Sequence, residues 1–333
     1  MEASSVLKSG SMPVKPLLAI LLAAAFPVLA EPVRVIFDTD MGNDVDDALA
    51  LAMLHALEKR HECRLVAVTL TKDNRWAAPF VDLVNTFYRR AYIPVGAIRN
   101  GKTPGDSKML LDPCRRKAAD GSWLYPRRID SGTETPDSVE LLKRVLNEQP
   151  DGAVVVIQVG FSTNLARLIA SPGGKPLVAR KVRLLSAMAG NFQEAKPEYN
   201  VQQDIPSAKV VFQEWPSPVV FSGWEIGAQL LFPATAVEQG FAWAPFHPVA
   251  DAYRAYKKMP YDRPSWDLTS VLYAVRPSGR YFSLSPAGRV LVDERGVTRF
   301  REEPGGPHRY LILDPAQKAR TLEALVELAT QPR

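Results

Sequence analysis

Val33-Arg34-Val35-Ile36-Phe37-Asp38-Thr39-Asp40-Met41-Gly42-Asn43-Asp44-Val45-Asp46-Asp47-Ala48 runs from an apolar, β-branched stretch directly into a loop with five aspartates in ten residues. The first part reads as a buried strand and Ala48 to Lys59 reads as a core-facing helix, so the acidic loop lies at a strand-to-helix crossing. Two unit charges 4 Å apart repel by about 1 kcal/mol in water and by several times that in a partly dry cleft. Carboxylates crowded in this way must take up protons or hold a cation. Oxygen ligands with no His or Cys beside them select calcium or magnesium over zinc. The spacing does not fit a calcium-hand loop, and the closing Glu of such a loop is missing. Capping of the helix that follows accounts for one aspartate but not for five.

The same alternation continues outward from this stretch. Short β-branched runs at Val33 to Phe37, Leu65 to Leu70, Pro94 to Ile98, Ala153 to Val159, Val182 to Ala187 and Val219 to Phe221 read as strands. Between them, Ala48 to Lys59, Ala77 to Tyr92, Ser138 to Glu148, Asn164 to Ala170 and Ser207 to Trp215 space their apolar residues at three or four. The pattern predicts an α/β protein with an open, doubly wound, mostly parallel sheet and helices on both faces. Gly101 to Thr135 has no sustained period and reads as a long surface excursion near the site mouth. Residues 240 to 275 read as helical, Tyr281 to Leu313 as a hairpin turning at Glu294-Arg295-Gly296, and Pro315 to Thr330 as a last helix. In such sheets ligands sit beyond the carboxyl ends of the strands. That rule brings together Asp38 to Asp47, Thr71 to Asn74, Phe161 to Thr163 and Met188 to Asn191.

An apolar content of 46% and a charged content of 23% exclude a disordered or fibrous chain and allow a substantial core, as one large α/β domain or two smaller ones; the expected arrangement is a single catalytic domain over residues 31 to 333. Lys8 and Lys15 precede an apolar run from Leu17 to Ala30 that ends in Val28-Leu29-Ala30, the pattern of a cleavable signal peptide cut after Ala30. The run is shorter than the ~20 residues of a spanning helix, and no cysteine follows it to accept a lipid. The expected location is therefore periplasmic or secreted, with no stable membrane insertion. Loss of Lys8, Lys15 and Glu2 lowers the net charge from +5 to +4. Arg115-Arg116-Lys117, Arg127-Arg128 and Lys257-Lys258 are scattered without an aromatic stripe, which points to a solvated surface and not to a nucleic-acid groove. Export permits a disulfide between Cys63 and Cys114, the two cysteines of the chain, but sequence cannot bring their Cα atoms within bonding distance.

The aspartate run resembles the opening motif of the inosine-uridine-preferring nucleoside hydrolase family, Asp-x-Asp-Pro-Gly-x-Asp-Asp-Ala at the end of the first strand. Gly160-Phe161-Ser162-Thr163-Asn164-Leu165 is similar to the family's Gly-Pro-Leu-Thr-Asn turn, and Met188-Ala189-Gly190 to its Met-Gly-Gly. Pro197-Glu198-Tyr199-Asn200 with Asp204 is similar to its Glu-Phe-Asn…Asp-Pro segment, and Trp266-Asp267 falls where the family has a last metal-binding aspartate. The likeness spans residues 33 to 275 in the family's order. It implies that Asp40, Asp47, Asp267 and the Thr163 carbonyl bind calcium, and that Asp46, Glu198 and Asn200 hold the ribose hydroxyls. It also implies that Asp38 is a supporting carboxylate. Asn191 is a looser match to a residue touching the 5′-hydroxyl, and Asn74 is a candidate substrate contact. The implied reaction is hydrolysis of a ribonucleoside's N-glycosidic bond, with Asp40 as general base and an oxocarbenium-like transition state. Family members are commonly dimers or tetramers, and nothing in the residues predicts an interface.

The chain departs from the family pattern in three places. Met41 replaces the usual proline, and two residues inserted before Asp46 leave Asp44 as an extra carboxylate that competes with it for the ribose. Trp266 stands where many members have the histidine that protonates the leaving base, as in the purine-specific branch, whose tryptophan stacks on the purine; packing in the core is the other reading. The histidine-glycine segment after the third strand is absent, and His55, His61, His247 and His308 match no family motif, although His247 is a candidate acid. Two other readings of the aspartate loop stay open. One is a non-catalytic, calcium-dependent nucleoside or pentose receptor. The other is a haloacid-dehalogenase-type phosphatase with Asp38 as nucleophile and Lys72 as charge balance, although its late Gly-Asp-x-x-x-Asp pattern is missing.

Overall fold

The computed structural model describes Met1, Glu2, Gly10 and Glu31 to Arg333, and the fold is carried by Pro32–Arg333. The expected signal peptide and its cleavage point lie outside the described residues. The strands are β1 (Val33–Thr39), β2 (Cys63–Lys72), β3 (Val95–Lys102), β4 (Val154–Gln158), β5 (Val182–Met188), β6 (Val219–Ser222), β7 (Leu231–Phe232), β8 (Arg263–Pro264), β9 (Ser283–Leu284), β10 (Gly288–Val292), β11 (Thr298–Glu302) and β12 (His308–Ile312). The helices are α1 (Asp46–Lys59), α2 (Ala77–Phe87), α3 (Lys108–Arg115), α4 (Ser138–Glu148), α5 (Thr163–Ala170), α6 (Gly174–Lys181), α7 (Tyr199–Gln203), α8 (Ile205–Glu214), α9 (Trp224–Gly227), α10 (Ala234–Gly240), α11 (Pro248–Tyr256), α12 (Trp266–Val275) and α13 (Pro315–Thr330).

The main sheet has the order β11-β10-β12-β6-β5-β4-β1-β2-β3, with β9 on β12. From β12 through β3 every neighbouring pair is parallel, whereas β9, β10 and β11 are added antiparallel. The sheet is thus doubly wound and mostly parallel, as the alternation predicts. Alternate residues of β1 serve opposite faces. Val35 and Phe37 enter a core shared with α1, α2, α12 and α13, while Ile36 joins Val154 and Val156 in a core under α4, α5, α6 and α8. Each such fully buried side chain contributes about 1.5–3 kcal/mol. Helix α1 is buried along nearly its whole length because β2 lies on one side and α12 and α13 on another.

β1 lies between β2 and β4, where the winding of the sheet reverses direction, so the aspartate loop leaves the sheet at its topological switch point. Gly42 makes the turn possible: its φ is +112°, and a Cβ there would meet the Leu110 side chain. Gly160 is fixed by crowding, since a Cβ would collide with the Asp40 backbone and the Thr71 hydroxyl.

Several boundaries differ from expectation for local reasons. Strand β1 continues to Thr39, which carries Asp38 into the sheet. Helix α2 stops at Phe87 and not at Tyr92, because the chain turns through a positive φ at Arg89. The Gly101 to Thr135 excursion contains α3, too short to show a sustained period; its Met109, Leu110, Pro113 and Cys114 are buried, and the helix packs against α11. Residues 240 to 275 are two separate helices, α11 and α12, with β8 between them. The hairpin is β10 and β11, and the turn takes Gly296 at φ +82°. Helix α13 has the predicted bounds. Cys63 and Cys114 are both free thiols in the core.

Candidate active site

A cleft of about 340 Å³ opens at the switch point. It is lined by Asp40, Asn43, Asp44, Asp46, Asp47, Val159, Met188, Glu198, Tyr199, Asn200, Trp224, Tyr256, Arg263, Trp266 and Asp267. Its floor is acidic and buried. Asp46 and Asp47 start α1 and Asp267 is the second residue of α12, so three carboxylates collect at two helix N-termini, where backbone N–H groups favour negative charge. One oxygen from each of the three lies within 4.8 Å of the others, close enough to share one ion. The Asp267 backbone N–H donates to Asp46 Oδ2 at 3.1 Å, and the Thr39 hydroxyl donates to Asp47 Oδ1.

Asp40 sits beside them with a backing of its own. Asn43 Nδ2 donates to Asp40 Oδ2 at 2.7 Å, and Lys72 Nζ donates to Asn43 Oδ1 at 2.9 Å. Glu198 caps α7, its Oε1 accepting from the Asn200 N–H at 2.8 Å and its Oε2 from the N–H groups of Val201 and Gly190 at 3.2 Å. Asn200 Nδ2 donates to the Val159 carbonyl at 2.8 Å.

Burial dominates the electrostatics of this floor. It raises Asp40 to about 7 despite the Asn43 hydrogen bond, and Glu198 to about 7 despite three backbone N–H groups. Asp46, Asp47 and Asp267 rise well above the carboxylate range, first from burial and then from one another and neighbouring acids. Their set of hard oxygen donors is the chemistry of a divalent-ion site. Such an ion would restore these groups to their charged forms.

The outer wall is different in kind. Trp266 is half-buried, and its Nε1 donates to the Trp224 carbonyl at 2.9 Å. The two indoles lie 6.4 Å apart, tilted by 34°. Arg263 is paired with Asp44, and its guanidinium lies 5.2 Å from the Tyr256 ring centroid and 5.3 Å from that of Trp266.

Of the residues singled out in the sequence, Asp40, Asp44, Asp46, Asp47, Glu198, Asn200, Trp266 and Asp267 meet in this cleft. Asp44 faces Arg263, which leaves Asp46 turned toward Asp267. Thr163, Asn74, Asn191 and Asp38 are not among the lining residues. Thr163 opens α5, so its carbonyl joins the ladder of that helix and its hydroxyl donates to Asp204 Oδ2 at 2.6 Å. Val159, just past the end of β4, lines the cleft where Thr163 does not. Asn74 holds the Pro104 to Asp106 loop, and Asn191 closes its own turn by accepting from the N–H groups of Gln193 and Glu194. Asp38 is buried within the sheet against Thr69 and Asn164, so it is not placed to act as a phosphatase nucleophile. Burial raises it to about 7. His247 packs among Phe87, Tyr88, Phe241 and Trp243, far in character from an acid at the cleft, and burial lowers it to about 3.

Asn43, Tyr199, Trp224, Tyr256 and Arg263 line the cleft without having been singled out. Trp224 was within reach of the strand-end rule, since it stands just past β6. Tyr256 and Arg263 gave no local signal.

The sequence matches the family description "Inosine-uridine preferring nucleoside hydrolase" over residues 35–327. No curated protein matches it. Among solved structures it is similar to a plant nucleoside hydrolase at 23% identity and TM-score 0.64, covering 90% of this chain and 100% of that one. It is also similar to an inosine-uridine preferring nucleoside hydrolase from Bacillus anthracis (17%, TM-score 0.67, 90% and 99%). A third is a purine-preferring ribonucleoside hydrolase from Gardnerella vaginalis (19%, TM-score 0.66, 89% and 99%). These likenesses show a shared fold, and the match over nearly the whole of Pro32–Arg333 shows more: the chain belongs to the inosine-uridine preferring nucleoside hydrolase family and is an N-glycosyl hydrolase.

Proposed function

We propose that the protein is an exported, calcium-dependent ribonucleoside hydrolase that prefers purines and releases free base and ribose. The observation that carries this reading is the meeting of Asp46, Asp47 and Asp267 oxygens within 4.8 Å in a cleft also lined by Asp40 and Glu198. Asp47 and Asp267, with Asp40 beside them, would hold the ion, and Val159, which lines the cleft where Thr163 does not, is the candidate for a main-chain ligand. When bound, calcium supplies positive charge that anchors ribose hydroxyls and eases the ionisation of water.

The remaining chemistry belongs to the side chains. Asp40 takes the proton of the attacking water, and Asn43, itself tied to Lys72, keeps its carboxylate aimed. Asp46, Glu198 and Asn200 hold the ribose hydroxyls and fix C1′ for in-line attack. Surrounding carboxylates stabilise the positive charge that develops on the ring as the base departs. Trp266 and Trp224 offer flat surfaces to a purine. The leader pattern before Pro32 supports export to the periplasm or beyond.

The counterpart for testing is a nucleoside-binding protein without turnover, a reading that membership of the nucleoside hydrolase family counts against. One assay tests both. The protein is incubated with inosine, adenosine, guanosine and uridine, in calcium or in chelator, and free base is measured. Calcium-dependent release of purines is expected; binding without release supports the receptor, and release unaffected by chelator contradicts the metal assignment.

A further inference from the structure

We propose that Arg263 is a substrate-contacting specificity residue that selects bases bearing a carbonyl oxygen and stabilises the negative charge such a base carries away. The inference rests on the ribonucleoside hydrolase reading above and concerns the leaving-group half of the reaction, for which the cleft has no histidine among the described residues.

Asp40, Asp44, Asp46, Asp47, Glu198 and Asp267 all line the cleft, and Arg263 is the one basic side chain among the described residues that does so. When water adds to C1′ and the C1′–N bond breaks, the electron pair of that bond goes to the base, while the water's proton goes to Asp40. A base leaving as an anion past six acidic groups needs a positive counterpart, and a fixed cation in a partly dry site provides it without reorganisation. A divalent ion held by Asp47 and Asp267 at the floor would supply charge on the ribose side of that bond.

The geometry fits this task. Arg263 Nε donates to Asp44 Oδ1 at 2.9 Å, Nη2 donates to Asp44 Oδ2, and Nη2 also reaches the Tyr256 hydroxyl at 3.1 Å. Among the described residues nothing engages Nη1. Its two N–H groups remain for a ligand, and a bidentate pair with two aromatic neighbours fixes where they point. The guanidinium shares its wall with Trp266, so a base packed on that indole meets the cation. Asp44, which exists because the loop after β1 is longer than the family pattern, gains a purpose as the group that orients Arg263. Although burial works against its charge, the hydrogen bonds to Asp44 and the nearby acids outweigh it and keep the guanidinium protonated. It therefore donates hydrogen bonds and no proton. The departing base takes its proton from water after release. Hypoxanthine, guanine and uracil can spread the charge onto a carbonyl oxygen, and adenine cannot.

The test compares wild type, Arg263→Gln and Arg263→Lys on inosine, adenosine and 4-nitrophenyl β-D-ribofuranoside, whose leaving group needs no help. Arg263→Gln is expected to lower kcat/KM for inosine by about 10²–10³-fold, as loss of an oxyanion donor does. For adenosine and the nitrophenyl riboside the loss should be far smaller, collapsing the inosine preference, and Arg263→Lys should recover part of it. Calcium affinity, measured in parallel, should not change. Equal losses on all three substrates would show that Arg263 only braces the loop through Asp44, and an unaffected inosine rate would exclude any role; either overturns the proposal. If wild type releases no base from any of them, the parent reading fails and takes this one with it.

Discussion

The floor and the outer wall of the cleft are built on opposite principles. The floor is five buried carboxylates (Asp40, Asp46, Asp47, Glu198 and Asp267) on strand ends and helix starts, held by backbone N–H groups and by the Asn43 and Thr39 side chains. The wall is Trp224, Tyr256, Arg263 and Trp266, partly solvent-exposed and joined by a tilted indole pair, a cation and hydrogen bonds to the Trp224 carbonyl and the Tyr256 hydroxyl. A rigid acidic floor suits the part of the substrate that never varies, the ribose. An aromatic wall with a single cation suits the part that does, the base. The difference implies that floor changes damage every substrate alike, and wall changes redistribute preference.

The largest expected effect comes from the sugar. If the floor holds the ribose hydroxyls as proposed, 2′-deoxyinosine should fall about 10⁴-fold below inosine in kcat/KM. A loss of tenfold or less would show that the floor does not read the 2′-hydroxyl. Next is Asp40→Asn, expected to lower kcat about 10³-fold for purine and pyrimidine nucleosides equally, with circular dichroism and melting intact. Full activity in that variant would remove Asp40 as base. The wall should behave otherwise. Trp266→Ala is expected to cost purine nucleosides about 10–100-fold in kcat/KM and uridine much less, in line with base-stacking energies. Equal losses would assign the indole to packing.

Stability supplies a smaller, independent effect on the floor. With Asp40 and Glu198 raised to about 7, the ion-free native state keeps protons that the unfolded chain gives up above about pH 4. Ion-free stability therefore falls as pH rises from about 4 to 7, and Asp46, Asp47 and Asp267, held well above the carboxylate range, add to the fall. In the proposed account calcium would replace those protons, so the gap in Tm between calcium and chelator should widen over that window, to roughly 5–10 °C at saturating ion. Because the gap is a difference at each pH, the buried His55 and His247, both lowered to about 3 and destabilising at acid pH, cancel from it. A gap that narrows as pH rises would contradict the floor's assignment.

The floor was legible in the sequence and most of the wall was not. Asp46-Asp47, Glu198-Tyr199-Asn200 and Trp266-Asp267 each lie in one short motif at a strand end or helix start, where local geometry decides direction. Arg263 meets Asp44 across 219 residues, and no local pattern announces such a pair. Asn74, Asn191 and Thr163 show the opposite failure. All follow strands and are polar, yet each is occupied by its own loop, turn or helix, and a strand-end rule cannot tell a residue that serves a ligand from one that serves the backbone. The sheet itself was readable because β1, β4 and β5 are apolar on both faces, whereas α3 is too short to announce itself by period.

The most direct test of the central claim is calorimetric titration of the metal-stripped protein with calcium, beside Asp47→Ala and Asp267→Ala. The account predicts one ion bound per chain in wild type, with both variants losing at least an order of magnitude in affinity and all base release. Undiminished binding in both variants, or no binding in wild type while base is still released in chelator, would contradict it.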